Sequence, residues 1–174
     1  AMGSGDDTVQ INGRVQSSSN DLQVDLGAGS NQLTIAEGAN VVAYGLVSVV
    51  AGSGDDTFSL SGNLASTAGN LVVDSAAGDD SVTVTASGLV QSNEGSMLFE
   101  LGADDNQLQL DEGSQLGAGT TLTINGGAID QLTLDGYVRA AGKIAVNLAA
   151  GDDSVVIASH ADITSTTGDI ELLL

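Results

Sequence analysis

The hydrophobic positions of the chain recur in short alternating runs that follow a fixed repeat. A turn rich in Gly, Asp and Asn precedes two apolar residues separated by one polar residue, as in Val9 and Ile11 or Phe58 and Leu60. The acidic or amide residue immediately before each run, the second turn position, is found at Asp7, Asn31, Asp56, Asp80, Asn106, Asp130 and Asp153. These positions are 24, 25, 24, 26, 24 and 23 residues apart. Such regularity predicts one structural unit stacked on its own copies.

Each unit predicts three short strands. The alternating run after the turn has the period of a strand with one buried face. A small turn and a single apolar residue follow, such as Leu64, Leu89 or Val138, and indicate a second strand. A further turn and an alternating run, such as Leu71 and Val73, indicate a third. In the fifth unit the third run is offset by one residue.

The units together predict an all-β fold, a parallel β-solenoid of about seven coils with three short strands per coil. Strands this short cannot bury their apolar faces alone, whereas stacked coils can. At a strand spacing of about 4.8 Å, seven coils would form a rod roughly 34 Å long. Right-handed winding is expected by analogy with parallel crossover connections. The alternative is an antiparallel sandwich, which does not require the same side chain at the same phase of every unit.

The ends of the repeat suggest a single domain, residues 1–174, taken from a longer protein. Neither end shows the atypical polar unit that usually caps a solenoid. Residues 1–2 precede the first repeat and are interpreted as a cloning scar. The expected partners are therefore adjacent coils of the parent protein, together with self-association through open ends whose strand edges are unpaired.

Composition narrows the classes of partner. The chain has 23 acidic and 3 basic residues and a net charge of -20, which argues against binding to nucleic acid or to anionic membranes. No apolar run is long enough for membrane insertion as a helix. The absence of Cys excludes disulfides and thiolate metal sites. Because 41% of the residues are hydrophobic, the acidity does not indicate disorder.

The acidic side chains concentrate at the turn that opens each unit. Equivalent turns of a solenoid stack about one strand spacing apart, so these carboxylates would lie close together. Oxygen-rich ligand sets of this kind favour Ca²⁺. The candidate calcium ligands are Asp6, Asp7, Asp55, Asp56, Asp79, Asp80, Asp104, Asp105, Asp152 and Asp153. The alternative is turn capping without a metal, because Asp and Asn side chains bond local backbone N–H groups.

The turns also resemble a known family. GSGDDT at 3–8 and 52–57, and AGDDS at 77–81 and 150–154, are similar to the calcium-binding nonapeptide of repeats-in-toxin (haemolysin-type) proteins. The resemblance covers about seven residues of each unit, and Asn31 and Asn106 replace the family's Asp. The longer, three-sided coil resembles the β-helical shafts of large bacterial adhesins. These resemblances imply Ca²⁺ between successive turns and a location outside the cell, at a bacterial surface.

The expected function is that of a non-catalytic stalk segment of a bacterial surface protein or adhesin, with Ca²⁺ folding or rigidifying its turns. One alternative is a glycan-binding or polysaccharide-processing β-helix, for which Tyr137, Arg139 and Lys143 are the available side chains. His160 is the only histidine and is expected to be exposed. A minor alternative is an ice-binding face, although Gln and Ser interrupt the ranks of Thr that such faces use. No nucleophile motif, phosphate loop or His-based metal cluster is present.

Overall fold

The computed structural model describes residues 2–128 and 130–174, and within them the chain forms a parallel β-solenoid. The predicted fold class is thereby confirmed. Ala1 of the expected cloning scar and Ile129, the first turn position of the sixth unit, lie outside the described residues. The direction of winding stays a prediction.

Three seven-stranded sheets form the sides of the solenoid, with one strand of each coil in each sheet. The first sheet contains β2 (Thr8–Ile11), β6 (Gln32–Ile35), β9 (Thr57–Leu60), β12 (Ser81–Val84), β15 (Gln107–Leu110), β18 (Gln131–Leu134) and β21 (Ser154–Ile157). The second sheet contains β3 (Arg14–Ser17), β7 (Asn40–Ala43), β10 (Asn63–Ser66), β13 (Leu89–Ser92), β16 (Gln115–Ala118), β19 (Tyr137–Ala140) and β22 (Asp162–Ser165). The third sheet contains β4 (Leu22–Asp25), β8 (Val47–Val50), β11 (Leu71–Asp74), β14 (Met97–Glu100), β17 (Leu122–Asn125), β20 (Ile144–Asn147) and β23 (Ile170–Leu173). A small parallel pair, β1 (Gly3–Ser4) and β5 (Gly27–Ala28), joins the first two coils at a corner.

Every strand pairs in register with its equivalent in the next coil. Phe58 of the third coil pairs with Leu33 below it and with Val82 above it. The coils differ in length, yet the strands of the three large sheets all have four residues, so the turns absorb the differences. A turn also absorbs the one-residue offset that the sequence shows in the fifth unit, because Leu122 pairs in register with Met97.

The core is a narrow column of branched aliphatic side chains that runs along the axis. Phe58 and Phe99 are buried within it, as their positions in the pattern predict. The expectation for Leu89 is wrong by one residue. Leu89 pairs with the outward Asn63, and its neighbour Val90 takes the buried position opposite Leu64. Two adjacent apolar residues look alike in sequence, and only the register of the neighbouring coil decides which one faces inward.

The two end coils are more exposed than the interior ones. Val9, Ile11 and Leu22 of the first coil are partly buried against the core. In the last coil, Ile170 is 47% exposed and Leu172 is 42% exposed, since no further coil covers them. The interior coils therefore contain the buried part of the core.

Candidate functional site

The turn between the third and first sheets carries a continuous ladder of hydrogen bonds, which we call the turn ladder. It is formed by the seven residues of the second turn position. Each backbone N–H donates to the side-chain Oδ1 of the equivalent residue in the following coil. The six N···O distances are 3.0 Å from Asp7 to Asn31, 2.7 Å from Asn31 to Asp56, 2.7 Å from Asp56 to Asp80, 3.0 Å from Asp80 to Asn106, 3.2 Å from Asn106 to Asp130 and 3.0 Å from Asp130 to Asp153.

The interior residues of the turn ladder are fully enclosed. Asn31, Asp56, Asp80, Asn106 and Asp130 are each at most 2% exposed. At Asn31, Asp56 and Asp80 the residue two positions earlier is a glycine, which lets the backbone turn this tightly. Gly54 and Gly78 have φ values of 121° and 130°, and a Cβ on Gly78 would lie 2.3 Å from the carbonyl oxygen of Gly54. The Gly-x-Asp pattern therefore has a structural cause in the packing of one turn on the next.

The second side-chain atom of each ladder residue distinguishes Asn from Asp. The Asn31 Nδ2 donates to the carbonyl oxygen of Gly29 at 2.8 Å, and the Asn106 Nδ2 donates to that of Asp104 at 2.7 Å. Among the described residues, the buried Oδ2 atoms of Asp56 and Asp80 have no hydrogen-bond partner. The amides of Asn31 and Asn106 are thus satisfied, and the Oδ2 of Asp130 accepts the N–H of Gly127 at 2.7 Å. At Asp56 and Asp80, in contrast, an ionised carboxylate leaves one buried oxygen unpaired, which is costly.

Burial changes the acidity of the ladder carboxyls. The pKa of Asp80 is raised from 3.8 to about 6. Desolvation is the main cause, and the neighbouring carboxylates of Asp56 and Asp55 act in the same direction, whereas the Asp56 N–H and the nearby Ser75 hydroxyl oppose the rise. Desolvation also raises the pKa of Asp56 and that of Asp130, although their hydrogen bonds to Asn31 and Gly127, respectively, oppose it. The neutral acid is therefore favoured more at these positions than on the surface.

The first turn positions behave differently, because their side chains are exposed. Asp55 Oδ1 accepts the N–H of Asp79 at 3.0 Å, and Asp79 Oδ1 accepts that of Asp105 at 3.2 Å. Asp104 Oδ2 accepts the N–H of Gly78 at 3.1 Å. A second, outer set of contacts thus runs beside the turn ladder. The N–H groups of Asp79 and Asp105 donate to the preceding coil, whereas the N–H of Gly78 donates to Asp104 of the following coil.

Nine of the ten predicted calcium ligands therefore lie in two columns along one corner, and the tenth, Asp104, lies one residue before the first turn position of its coil. The structure brings Asp55, Asp56, Asp79 and Asp80 together at adjacent turns, as expected. In the described part of the chain, however, no three acidic or histidine side chains are grouped as a metal site. Ca²⁺ takes 6–8 oxygen ligands, whereas the buried turns offer isolated Oδ2 atoms, since each Oδ1 already accepts an N–H. Ca²⁺ at these turns stays a prediction from the sequence.

A second ladder of polar contacts was not predicted. At the corner after the second sheet, the Ser66 hydroxyl donates to the carbonyl oxygen of Gly45 at 2.7 Å, and the Ser92 hydroxyl donates to that of Gly69 at 2.8 Å. Ser66 and Ser92 are both buried. The sequence signal is the small residue that ends each second strand, always Ser or Ala. This corner is thus held by hydroxyls as the other is held by carboxylates and amides.

Tyr137 and Arg139 come together on the outer face of the second sheet. The Arg139 guanidinium carbon lies 5.3 Å from the centre of the Tyr137 ring, and its Nη2 lies 3.0 Å from Asp162 Oδ2. The hydrogen bond from the Thr164 hydroxyl, together with the contact to Arg139, lowers the pKa of Asp162. Lys143, expected in the same cluster, instead pairs with Glu171 on the third sheet at 2.6 Å.

His160 is exposed, as expected, and its contacts do not form a catalytic triad. Its Nδ1 lies 3.2 Å from Asp135 Oδ1 and 3.4 Å from the Ser159 hydroxyl oxygen. A nucleophile and an orienting carboxylate must contact opposite nitrogens of the ring. Here both groups share one nitrogen.

These features define the chain as a parallel β-solenoid repeat protein whose corners carry polar ladders. No family model, no curated protein and no solved structure matches the chain. None of the described residues belongs to a helix that is long and apolar enough to cross a membrane.

Proposed function

We propose that the chain is a non-catalytic structural segment, a stalk or spacer, of an extracellular bacterial surface protein. The observation that supports this proposal is the uninterrupted register of three sheets together with the turn ladder. Each coil is joined to the next by three parallel strand pairs and by at least one side-chain bond at a corner. We expect such an array to be rigid along its axis and to have no hinge.

The energetics of a solenoid suit a spacer. Each coil contacts only its neighbours, so stability is approximately a sum of coil terms and nearest-neighbour interface terms. Added coils lengthen the rod without changing its local structure. The turn ladder contributes to every interface in the same way, because the donor is a backbone N–H and does not depend on the side chain of its own coil.

The extracellular location rests on the resemblance of the turns to haemolysin-type repeats. The composition agrees with it. A chain without Cys depends on no redox compartment, and a net charge of -20 favours solvation and discourages association with other anionic surfaces. Adjacent coils of a parent protein are the partners that this proposal implies.

Hydrogen exchange in buffer that contains EDTA tests the spacer function. A rigid spacer predicts that backbone amides of the second to sixth coils exchange slowly as one block, with faster exchange confined to the end coils. The ladder amides of Asn31, Asp56, Asp80 and Asn106 belong to the slow block. An interior coil that exchanges as fast as the ends would place a hinge inside the rod, and the proposal would fail.

Glycan binding is the second candidate function. It is favoured by the outward contact between Tyr137 and Arg139 and by one glycine beside it, Gly117. A stalk with such a site would carry part of the adhesive function itself.

A further inference from the structure

Gly117 is the one glycine inside the four-residue strands of the described chain, and nothing in the fold accounts for it. It occupies the third position of β16, on the outer face of the second sheet. It does not have a positive φ. A Cβ at this position would meet only the Cβ of Gln91, at 3.8 Å, which is an ordinary contact. Most turn glycines, in contrast, lie against the backbone of the preceding coil or have a positive φ. Glycine weakens a strand, and in a strand it often marks a close approach by a ligand.

The missing side chain opens a recess in the outer face. Gln91 lies below Gly117 in the same column, and Arg139 lies above it. The recess has a volume of about 290 Å³, and Asn93 and Thr166 also line it. A second recess of about 370 Å³ is lined by Gln115, Tyr137 and Arg139. Arg139 lines both recesses, and the stretch of outer face that the two recesses occupy is called the depression below.

The side chains that line this depression are polar or aromatic, and their charges nearly cancel. Tyr137 is 40% exposed, and the Arg139 guanidinium lies over one face of its ring, which leaves the other face for a ligand. Gln91, Gln115 and Asn93 supply amides that both donate and accept hydrogen bonds. Asp162 offsets the charge of Arg139 at 3.0 Å, while the other N–H groups of the guanidinium remain as donors.

This combination matches a sugar ring better than an ion or a peptide. The apolar C–H face of a pyranose can pack on an aromatic ring, and its hydroxyls both donate and accept hydrogen bonds, as amides do. The net charge of -20 repels polyanions, which disfavours acidic glycans. The pocket is too polar for a lipid and lacks the cluster of cations that a phosphate needs.

We propose that the depression over Gly117 and Tyr137 binds a neutral hexopyranose unit of a glycan chain. Tyr137 stacks on the ring, Gln91 and Gln115 bond its hydroxyls, and Gly117 provides the space. This inference goes beyond the spacer function, because a rigid stalk would not need it.

Titration calorimetry with neutral oligosaccharides (gluco-, manno- and galacto-oligomers) tests the site on the full chain. The key variant is Gly117→Gln, which places in the recess the same side chain that the column carries at Gln91. We expect at least a tenfold loss of affinity with an unchanged or higher Tm, since the Cβ has room. Tyr137→Ala should lose at least tenfold as well. Thr34→Gln is the matched control, because Gln10 and Gln109 already occupy its column on the first sheet.

Chemical-shift mapping by NMR locates the ligand. Binding at the proposed site shifts the amides of Gln91, Gly117, Tyr137 and Arg139 and leaves the first sheet unchanged. The proposal is overturned if no neutral oligosaccharide binds at millimolar concentration, or if Gly117→Gln binds as the wild type does. It is also overturned if oligogalacturonate or alginate fragments bind more tightly than the neutral oligomers.

Discussion

The backbone N–H of Asp56 donates to Oδ1 of Asp80 across 2.7 Å, and both residues are buried. The contact joins the third coil to the fourth through a carboxylate whose other oxygen has no partner among the described residues. Where the ladder residue is Asn31, the corresponding amide instead bonds the carbonyl oxygen of Gly29. The ladder therefore needs one acceptor oxygen from each residue, and at Asp56 and Asp80 a second atom that donates would satisfy the site better than the unpaired oxygen does.

Asp80→Asn should stabilise the protein at neutral pH. The amide keeps the acceptor for Asp56 and gains a donor at the position of the unpaired oxygen, a gain of roughly 1 kcal/mol in the free energy of unfolding. Asp80→Ala removes the acceptor and should cost about 1–3 kcal/mol. Urea denaturation of both variants measures these changes, with the exposed Asp55→Asn as control. Equal destabilisation by Asn and Ala would show that the charge itself is required at this turn.

Stability should fall as the pH rises from about 4 to 7 in EDTA. A carboxyl whose pKa is higher in the folded chain stabilises the fold below its unfolded pKa and loses that contribution as the pH rises through its folded pKa. Asp80, with a pKa of about 6, places this loss in the window between roughly 4 and 7. Burial raises the pKa of Asp56, Asp130 and Asp74 in the same direction.

The variant Asp80→Asn separates two effects on the pH dependence of stability, that of the buried ladder carboxyl and that of the overall negative charge of the protein. We expect a shallower dependence of Tm on pH than in the wild type, while Asp55→Asn keeps the wild-type slope. If both variants change the slope equally, general charge repulsion rather than the buried carboxyl governs the pH dependence.

The chain should fold in EDTA, because backbone N–H donors already hold the turn carboxylates. Circular dichroism melts in EDTA, in millimolar Ca²⁺ and in millimolar Mg²⁺ test this expectation. We expect cooperative melts in all three buffers, with Ca²⁺ and Mg²⁺ giving the same Tm. A Ca²⁺-specific rise that is lost in the double variant Asp56→Asn with Asp80→Asn would establish calcium binding at the turns. At a hundredfold excess over Kd, that binding would add about 2.7 kcal/mol.

The last coil should self-associate through its open core. Ile157, Ile170 and Leu172 line an apolar cavity of about 280 Å³ at this end. Leu172→Lys should weaken association at least tenfold in sedimentation velocity, because it buries a charge in the contact. Leu173→Lys is the matched control, since Leu173 does not line the cavity. Equal weakening by both variants, or a monomer at all concentrations of the wild type, would contradict the prediction.

The sequence by itself determined the repeat, the three strands per coil and the residues of the turn ladder. Its 24-residue period allowed this because identical units bury their apolar faces only by stacking in register. It did not distinguish Leu89 from Val90, since both are apolar and only the neighbouring coil defines the inward direction. It also gave Asp55 and Asp56 the same weight as ligands, whereas the structure exposes the first and buries the second.

Only the tertiary structure decided what surrounds each position. The Oδ1 of Asp80 finds its donor 24 residues away, at Asp56. The recess at Gly117 is formed by Gln91 and Arg139, which are 26 residues before it and 22 residues after it. In a solenoid the neighbours of a residue lie one coil away in sequence, so a periodic pattern predicts which residues stack. The direction of a hydrogen bond, the pairing of a charge and the space left by a missing side chain depend on three-dimensional contacts that the period does not contain.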